Sequence, residues 1–143
     1  MSLAIFKDLA EKFCSLAGLD EPNRVLNGDA VEINGITFSL MYNEKIDPEV
    51  LFIYADFGPV PAYRKVEIHE ALLEANLFVY PQGFPAFGIS PETKRVVFAS
   101  HARLREITAE ALCKVLAELS EQATDWRAHY FLTPASPSAQ HAQ

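Results

Sequence analysis

Histidines and cysteines are the side chains of this chain that could carry acid–base, nucleophilic or metal chemistry at neutral pH. They are His69, His101, His129, His141, Cys14 and Cys113. No histidines have a ligand spacing such as His-Glu-x-x-His, and the cysteines form no Cys-x-x-Cys. A cysteine nucleophile also needs a base and a positively charged setting, which the sequence does not show. We therefore predict no metal site and two free thiols, as is typical of a reducing cytoplasm.

The tripeptide Asp56-Phe57-Gly58 matches the magnesium-binding motif of protein kinases. A kinase also needs a glycine-rich phosphate loop, a strand lysine and a His-Arg-Asp loop, and none of these occurs in the 143 residues. Because Gly-x-Gly and Gly-Lys-Ser/Thr are absent too, a nucleotide phosphate has no recognisable cradle. We interpret the tripeptide as a strand that ends in a Gly-Pro turn. The sequence predicts a protein that is not an enzyme and needs no cofactor.

The charge of the chain argues against two classes of partner. Its formal net charge is −7 at pH 7, whereas a protein that binds nucleic acid or anionic membrane presents a basic face. Half of the residues are hydrophobic, which is typical of a globular domain. No apolar run approaches the roughly 20 residues of a membrane-spanning helix, and the charged opening residues do not resemble a signal peptide. We expect a soluble cytoplasmic protein.

The elements that must position these residues form one predicted α+β domain over residues 1–132, in the order α-β-β-β-α-β-β-α. Apolar residues at helical spacing predict helices over 3–17, about 59–77, and from the cap residue Thr108 onward. Apolar runs predict strands over 31–33, 36–42, 50–57, 86–89 and 95–99, with a hairpin at Asn34-Gly35. The pattern favours a twisted, mostly antiparallel sheet packed by helices. The small polar residues of 133–143 predict a disordered tail.

The second predicted helix is apolar on two opposite sides. One side carries Val66, Leu73 and Leu77. The other side carries Ile68, Ala71, Leu72 and Ala75, and three glutamates occupy a gap between the two. One side can pack on the protein's own sheet, while the other needs a second partner. Another helix of the same chain is one such partner, but a symmetric dimer with this helix at the seam is favoured.

The strands that follow this helix are apolar on both faces. In FPAFGISPETKRVVFA, Phe87 and Ile89 are apolar at alternate positions, and Val96 and Phe98 alternate with Val97 and Ala99. A sheet of such strands needs to be covered on both sides. If the first helix covers only part of the sheet, an apolar groove remains, in which a peptide could lie as a strand or a helix. The alternative for each of these residues is that it lies in the core and does not line a groove.

These residues resemble the class I chaperones of bacterial type III secretion, the Tir-chaperone (CesT-like) group. The resemblance extends from about Leu3 to Tyr130 and is most specific in ALLEANLFVYPQGFPAFGISPETKRVVFAS. There a helix ending in Leu-Leu-Glu-Ala-Asn precedes an aromatic and glycine turn, a strand ending in Gly-Ile and a Pro-Glu-Thr hairpin. Trp126 near the end of the last helix also fits. Phe84 and Phe87 depart from the family, which often has glycine or leucine in this strand.

The resemblance implies a homodimer in the bacterial cytoplasm that binds the N-terminal segment of one or a few secreted effectors and serves virulence. It implies that the segment wraps around the dimer in extended form. The effector then stays stable and competent for secretion until the export apparatus removes it, with the secretion ATPase as a further partner. It also implies grooves between the first helix and the sheet, and a dimer seam formed by the second helix and the strand after it.

Periodicity and the family layout together assign residues to these two surfaces. The expected effector-binding residues are Phe6, Leu9, Phe13, Ile36, Phe38, Phe87, Ile89 and Val97. The expected dimer residues are Ile68, Leu72 and Ala75. Phe6, Phe13 and Ile89 are expected to face a partner peptide more than the core. Two other functions stay open: a dimeric regulatory or scaffolding module for another cytoplasmic protein, and a small enzyme that uses cysteine or histidine.

Overall fold

The helices and strands of the chain follow the predicted order with one addition. The computed structural model describes residues 2–132. The helices are α1 (Ser2–Ala17), α2 (Pro22–Leu26), α3 (Lys65–Val79) and α4 (Ala109–His129), and a 3₁₀ turn at Ala62–Arg64 leads into α3. The strands are β1 (Val31–Ile33), β2 (Ile36–Met41), β3 (Val50–Gly58), β4 (Ala86–Ile89) and β5 (Val96–Arg103). The addition is α2, whose five residues are too few to show a helical period. The predicted tail lies outside the described residues.

The strands form one five-stranded sheet in the order β1-β2-β3-β5-β4, and each neighbouring pair is antiparallel. Asn34 and Gly35 connect β1 to β2 with φ angles of 52° and 81°, and Ile33 pairs with Ile36. Positive φ at both central residues is the requirement of a type I′ turn, so the Asn-Gly hairpin is confirmed. The α+β class and the antiparallel sheet are confirmed as well.

Local sequence signals mark the end of α1 and the start of α4, the two long helices that pack on each other. Gly18 follows α1 with a φ of 73°, and the Leu19 amide donates to the Cys14 carbonyl over 2.8 Å. This 6→1 hydrogen bond is a Schellman motif, which satisfies a carbonyl that the helix itself cannot pair. At the other helix, Thr108 Oγ1 accepts from the Ala111 amide over 3.0 Å, so the predicted N-cap is confirmed.

The core lies between one face of the sheet and the helices. Leu51, Ile53, Ala55 and Phe57 of β3 are at most 2% exposed, whereas the residues between them are half-buried. α4 packs on β1, β2 and β3, α1 packs on α4, and α3 lies beside β4. Trp126 of α4 is fully buried 5.9 Å from the ring of Phe57. We call the face of β3 that carries Leu51 and Phe57 the inner face, and the opposite one the outer face.

Candidate functional site

The residues expected to line a groove under the first helix lie in the core. Their exposed fractions are 3% for Phe6, 6% for Leu9, 0% for Phe13, 1% for Ile36 and 0% for Phe38. The Phe6 ring lies 5.2 Å from the ring of Tyr42, just past the end of β2. The prediction that Phe6 and Phe13 face a partner more than the core is therefore wrong. The physical reason is that α4 packs both on α1 and on the sheet, so the apolar stripe of α1 is used inside the chain.

The other three expected effector-binding residues come together at one edge of the sheet. Phe87 of β4 is 8% exposed, with its ring 5.2 Å from Phe57 and 4.6 Å from Phe98. Ile89 is 41% exposed, and Val97 is half-buried on the outer face, where it pairs with Gly88. An open depression of about 340 Å³ on the outer face is lined by Ala86, Gly88, Ile89, Val97 and Tyr54, among others.

The predicted orientation of the second apolar helix is reversed in the structure. Ile68 and Leu72 of α3, expected at a dimer seam, are 0% and 5% exposed and belong to the core, so this assignment is wrong. Ala75 is half-buried against the same core. The opposite stripe is the exposed one: Val66, Leu73 and Leu77 are 71–80% exposed. Periodicity separates the two stripes but does not say which one turns towards the sheet.

Asn76 is the residue that accounts for this orientation. It follows Ile68 and Leu72 at intervals of four, so all three lie on one face of α3. Its side-chain Oδ1 accepts from the Phe87 amide over 2.6 Å, and its Nδ2 donates to the Phe87 carbonyl over 3.2 Å. Both bonds hold this face of α3 against β4. The sequence places Asn76 in line with Ile68 and Leu72, but only the fold shows that this face turns towards β4.

Sequence reasoning also missed an aromatic cluster at the end of α3 and in the connection to β4. Phe78 is 80% exposed, Tyr80 58% and Phe84 65%, and the Tyr80 and Phe84 rings are 5.0 Å apart. The cluster follows Leu77 in the chain and extends the exposed stripe of α3. A second depression, of about 330 Å³, lies between α3 and β4 and is lined by Leu73, His69, Ile89 and Gly88, among others. Exposed apolar patches of this kind mark protein-binding surfaces.

The kinase-like tripeptide is part of the scaffold. The Asp56 carboxylate accepts from Arg95 Nη2 over 2.8 Å and from Arg95 Nε over 3.0 Å. This bidentate hydrogen bonding raises the pKa of Arg95 above its ordinary value. Arg127 Nε donates to the Phe57 carbonyl over 2.7 Å, and a Cβ on Gly58, whose φ is 121°, would lie 3.2 Å from that nitrogen. The aspartate is thus paired within the fold, at an irregularity in the β3–β5 register.

The side chains that could do chemistry do not form a reactive centre in the described part of the chain. Burial raises the pKa of both the Cys14 and the Cys113 thiols, which disfavours the reactive thiolate. Within residues 2–132, His, Cys, Asp and Glu nowhere cluster in a group of three that could hold a metal ion. His141 lies outside this range. Within the same range, no helix is long and apolar enough to span a membrane.

Solved structures share this fold over most of the chain. A chain of the ExsC–ExsE complex matches with a TM-score of 0.66 and 19% identity, over 91% of this chain and 94% of that one. A chain of the HopA1–SchA chaperone–effector complex matches with a TM-score of 0.67 and 17% identity, over 90% of this chain and 97% of that one. A third match is to the structure of the Yersinia pestis type III secretion chaperone SycH in complex with a stable fragment of YscM2. Its TM-score is 0.58 and its identity 20%, over 84% of this chain and 98% of that one. No protein with a curated description matches the sequence significantly.

The fold is shared with the type III secretion chaperone SycH and with chains of the ExsC–ExsE and HopA1–SchA complexes. A sequence model of the Tir chaperone protein (CesT) family matches residues 31–127, well over half of the chain, and the chain belongs to this family. The family predicted from the sequence is therefore confirmed.

Proposed function

We propose that this protein acts in the bacterial cytoplasm as a homodimeric chaperone that holds the N-terminal segment of a secreted effector in extended form. Membership of the Tir chaperone family supports the general function. The observation that carries the binding mode is the depression on the outer face beside β4, where Ala86 and Val97 present apolar surface that residues 2–132 do not cover, with Ile89 at its edge. By resemblance to the family, the secretion ATPase is the partner that receives the effector.

The outer-face depression suits an extended apolar segment because it is open and shallow. Ordering a flexible segment opposes binding by roughly 2–5 kcal/mol or more. Each well-packed anchor side chain contributes about 2 kcal/mol, so two or three anchors on this face are enough to offset that cost. Of the eight residues expected from the sequence to bind the effector, Ile89 and Val97 keep this role in the proposal. Phe87 forms the inner wall behind them.

The proposed dimer uses the exposed stripe of α3, together with the aromatic cluster after it, in place of Ile68 and Leu72. Leu73, Leu77 and Phe78 are each at least 71% exposed, which is unusual for side chains of this size on one helix. A two-fold axis beside α3 would cover these side chains in both copies at once. Ala75 stays in the proposal as a half-buried residue at the border of this surface.

The test begins with purification of the chain from its native bacterium under secreting conditions and identification of what accompanies it. We expect a larger protein whose capture depends on its own N-terminal segment. A capture that survives deletion of that segment contradicts the proposed mode of binding. If the chain purifies without any secreted protein, the proposed function is wrong.

A pair of matched variants locates the site. Ala86→Glu places a charge in the outer-face depression, and Ala128→Glu places the same charge on an exposed position of α4. We expect Ala86→Glu to weaken effector capture by roughly thirtyfold, the equivalent of one lost anchor, with an unchanged melting temperature. Ala128→Glu should bind like the wild type. Equal binding by both variants would place the effector elsewhere.

A further inference from the structure

β4 is an edge strand of the sheet, and its free edge faces α3. In an antiparallel pair, successive residues point their peptide groups alternately towards the partner strand and away from it. The Ser90 amide donates to the Arg95 carbonyl, which places the even-numbered residues of this segment towards β5. Phe87 and Ile89 therefore direct their amide and carbonyl groups to the free edge. Pro85, one step earlier on the same edge, has no amide hydrogen to offer.

The peptide groups of Phe87 are already occupied on this edge. Asn76 accepts from the Phe87 amide and donates to its carbonyl, over 2.6 and 3.2 Å. The side-chain amide of asparagine has the same donor and acceptor as a peptide group, so it makes here the pair of bonds that a neighbouring strand would make. Of the edge-facing groups of β4, only those of Ile89 have no hydrogen bond to another of residues 2–132. An unpaired edge strand otherwise invites pairing with a second copy.

We propose that Asn76 takes the place of a neighbouring strand along β4 and so prevents main-chain pairing between the β4 edges of two copies. The inference rests on the proposed homodimer and specifies its seam. The two copies meet through side chains of α3 and the aromatic cluster, and the two sheets do not join into a continuous ten-stranded sheet. The same residue sets the rotation of α3, so one side chain both closes the edge and presents Leu73 and Leu77 outward.

The wild-type protein provides the first test, by NMR of a sample labelled with ¹⁵N and ¹³C. We expect the Phe87 amide to exchange with solvent as slowly as that of Gly88, which faces β5, although Phe87 faces the free edge. A scalar coupling across the hydrogen bond should connect the Phe87 nitrogen to the side-chain carbonyl carbon of Asn76. A fast-exchanging Phe87 amide, or a coupling to a backbone carbonyl instead, overturns the proposal.

Two variants then separate the roles of the side chain. Asn76→Ala removes both bonds and should speed exchange of the Phe87 amide by roughly fivefold or more relative to that of Gly88. Asn76→Asp keeps the acceptor for the Phe87 amide and should leave that rate near the wild-type value. An unchanged rate in a folded Asn76→Ala protein overturns the proposal. If that variant does not fold, the wild-type coupling decides the question alone.

The seam itself is tested with a dimer in which one copy is ¹³C-labelled and the other is not. We expect intermolecular contacts among methyl groups of Leu73 and Leu77. Contacts between the α-hydrogens of β4 in the two copies would show strand pairing and overturn the proposal. A wild-type protein that is monomeric would contradict the proposed homodimer. In that case a protected Phe87 amide still supports the edge-closing role of Asn76, and an unprotected one overturns it.

Discussion

Phe13 and Leu16 lie on the same helix and differ completely in exposure. Phe13 is 0% exposed and packs in the core, whereas Leu16, one turn later, is 55% exposed. Both are large and apolar, so their types alone do not distinguish them. What distinguishes them is whether the core or solvent lies next to that side of α1. Stability is therefore expected to depend on the first residue and not on the second.

Phe13→Ala should lower the free energy of unfolding by about 3–5 kcal/mol, because it removes a fully buried aromatic side chain and leaves a cavity. Leu16→Ala, the control on the same helix, should change it by less than about 0.5 kcal/mol. Urea unfolding followed by the fluorescence of Trp126, the only tryptophan of the chain, measures both. A stable Phe13→Ala protein that binds its effector poorly would restore the original assignment of Phe13 to a groove.

The two cysteines lead to a second expectation at this scale. Cys14 is 1% exposed and Cys113 is half-buried, and burial raises the pKa of each thiol. A raised pKa leaves less thiolate at pH 8, and thiolate is the species that attacks a disulfide reagent. We expect Cys14 in the native protein to react with such a reagent more slowly than Cys113, and both to react rapidly in urea. Mass spectrometry of the modified peptides measures the two rates, and a fast native Cys14 would contradict its place in the core.

At the scale of elements, α3 is the helix whose orientation has the largest consequence for function. It has two apolar stripes, and the structure buries Ile68 and Leu72 while it exposes Leu73 and Leu77. Burying a leucine or isoleucine side chain stabilises by about 1.5–3 kcal/mol. A charge on the buried stripe therefore acts on folding, whereas a charge on the exposed stripe acts on association.

Leu73→Asp with Leu77→Asp should give a folded monomer, because each copy loses two apolar contacts at the proposed seam. Ile68→Asp with Leu72→Asp carries the same change of charge and should prevent folding instead, since it places carboxylates in the core. Light scattering measures the mass of each variant, and circular dichroism measures its fold. A wild type that is monomeric at micromolar concentration would remove the basis for the proposed dimer.

For the function of the whole molecule, the places of its charged, reactive and apolar groups matter more than any single residue. The acidic chain pairs its kinase-like aspartate internally, and burial raises the pKa of both thiols. Residues 2–132 leave apolar surface uncovered beside β4 and along α3. A protein that binds by shape and apolar contact needs such a surface and does not need a reactive group. This arrangement agrees with the chaperone family to which the chain belongs.

We accordingly expect the purified protein to hydrolyse no nucleotide and to retain no stoichiometric zinc. A phosphate-release assay and elemental analysis measure the two. Turnover that persists through purification and disappears in His69→Ala or Cys113→Ser, with folding intact, would favour an enzyme over a binding protein.

The sequence by itself determined the features that depend on neighbouring residues. The Asn34-Gly35 turn, the Thr108 cap and the order of the long elements follow from local backbone preferences and from the hydrophobic period, and all of them are present in the structure. The family followed from the stretch between α3 and β5, because its order of helix, turn and hairpin is also a local property. The helix α2 escaped prediction since five residues carry no period.

Only the tertiary structure decided which apolar residues are core and which are surface. A period of 3.6 tells which residues share a face of a helix, but not whether another element covers that face. For α1 the deciding feature is its packing on α4, and Phe6 and Phe13 lie in the core. For α3 it is the pair of hydrogen bonds between Asn76 and Phe87, which lies eleven residues further along the chain. Such contacts join segments whose approach depends on the packing of the whole chain, so residue order alone does not reveal them.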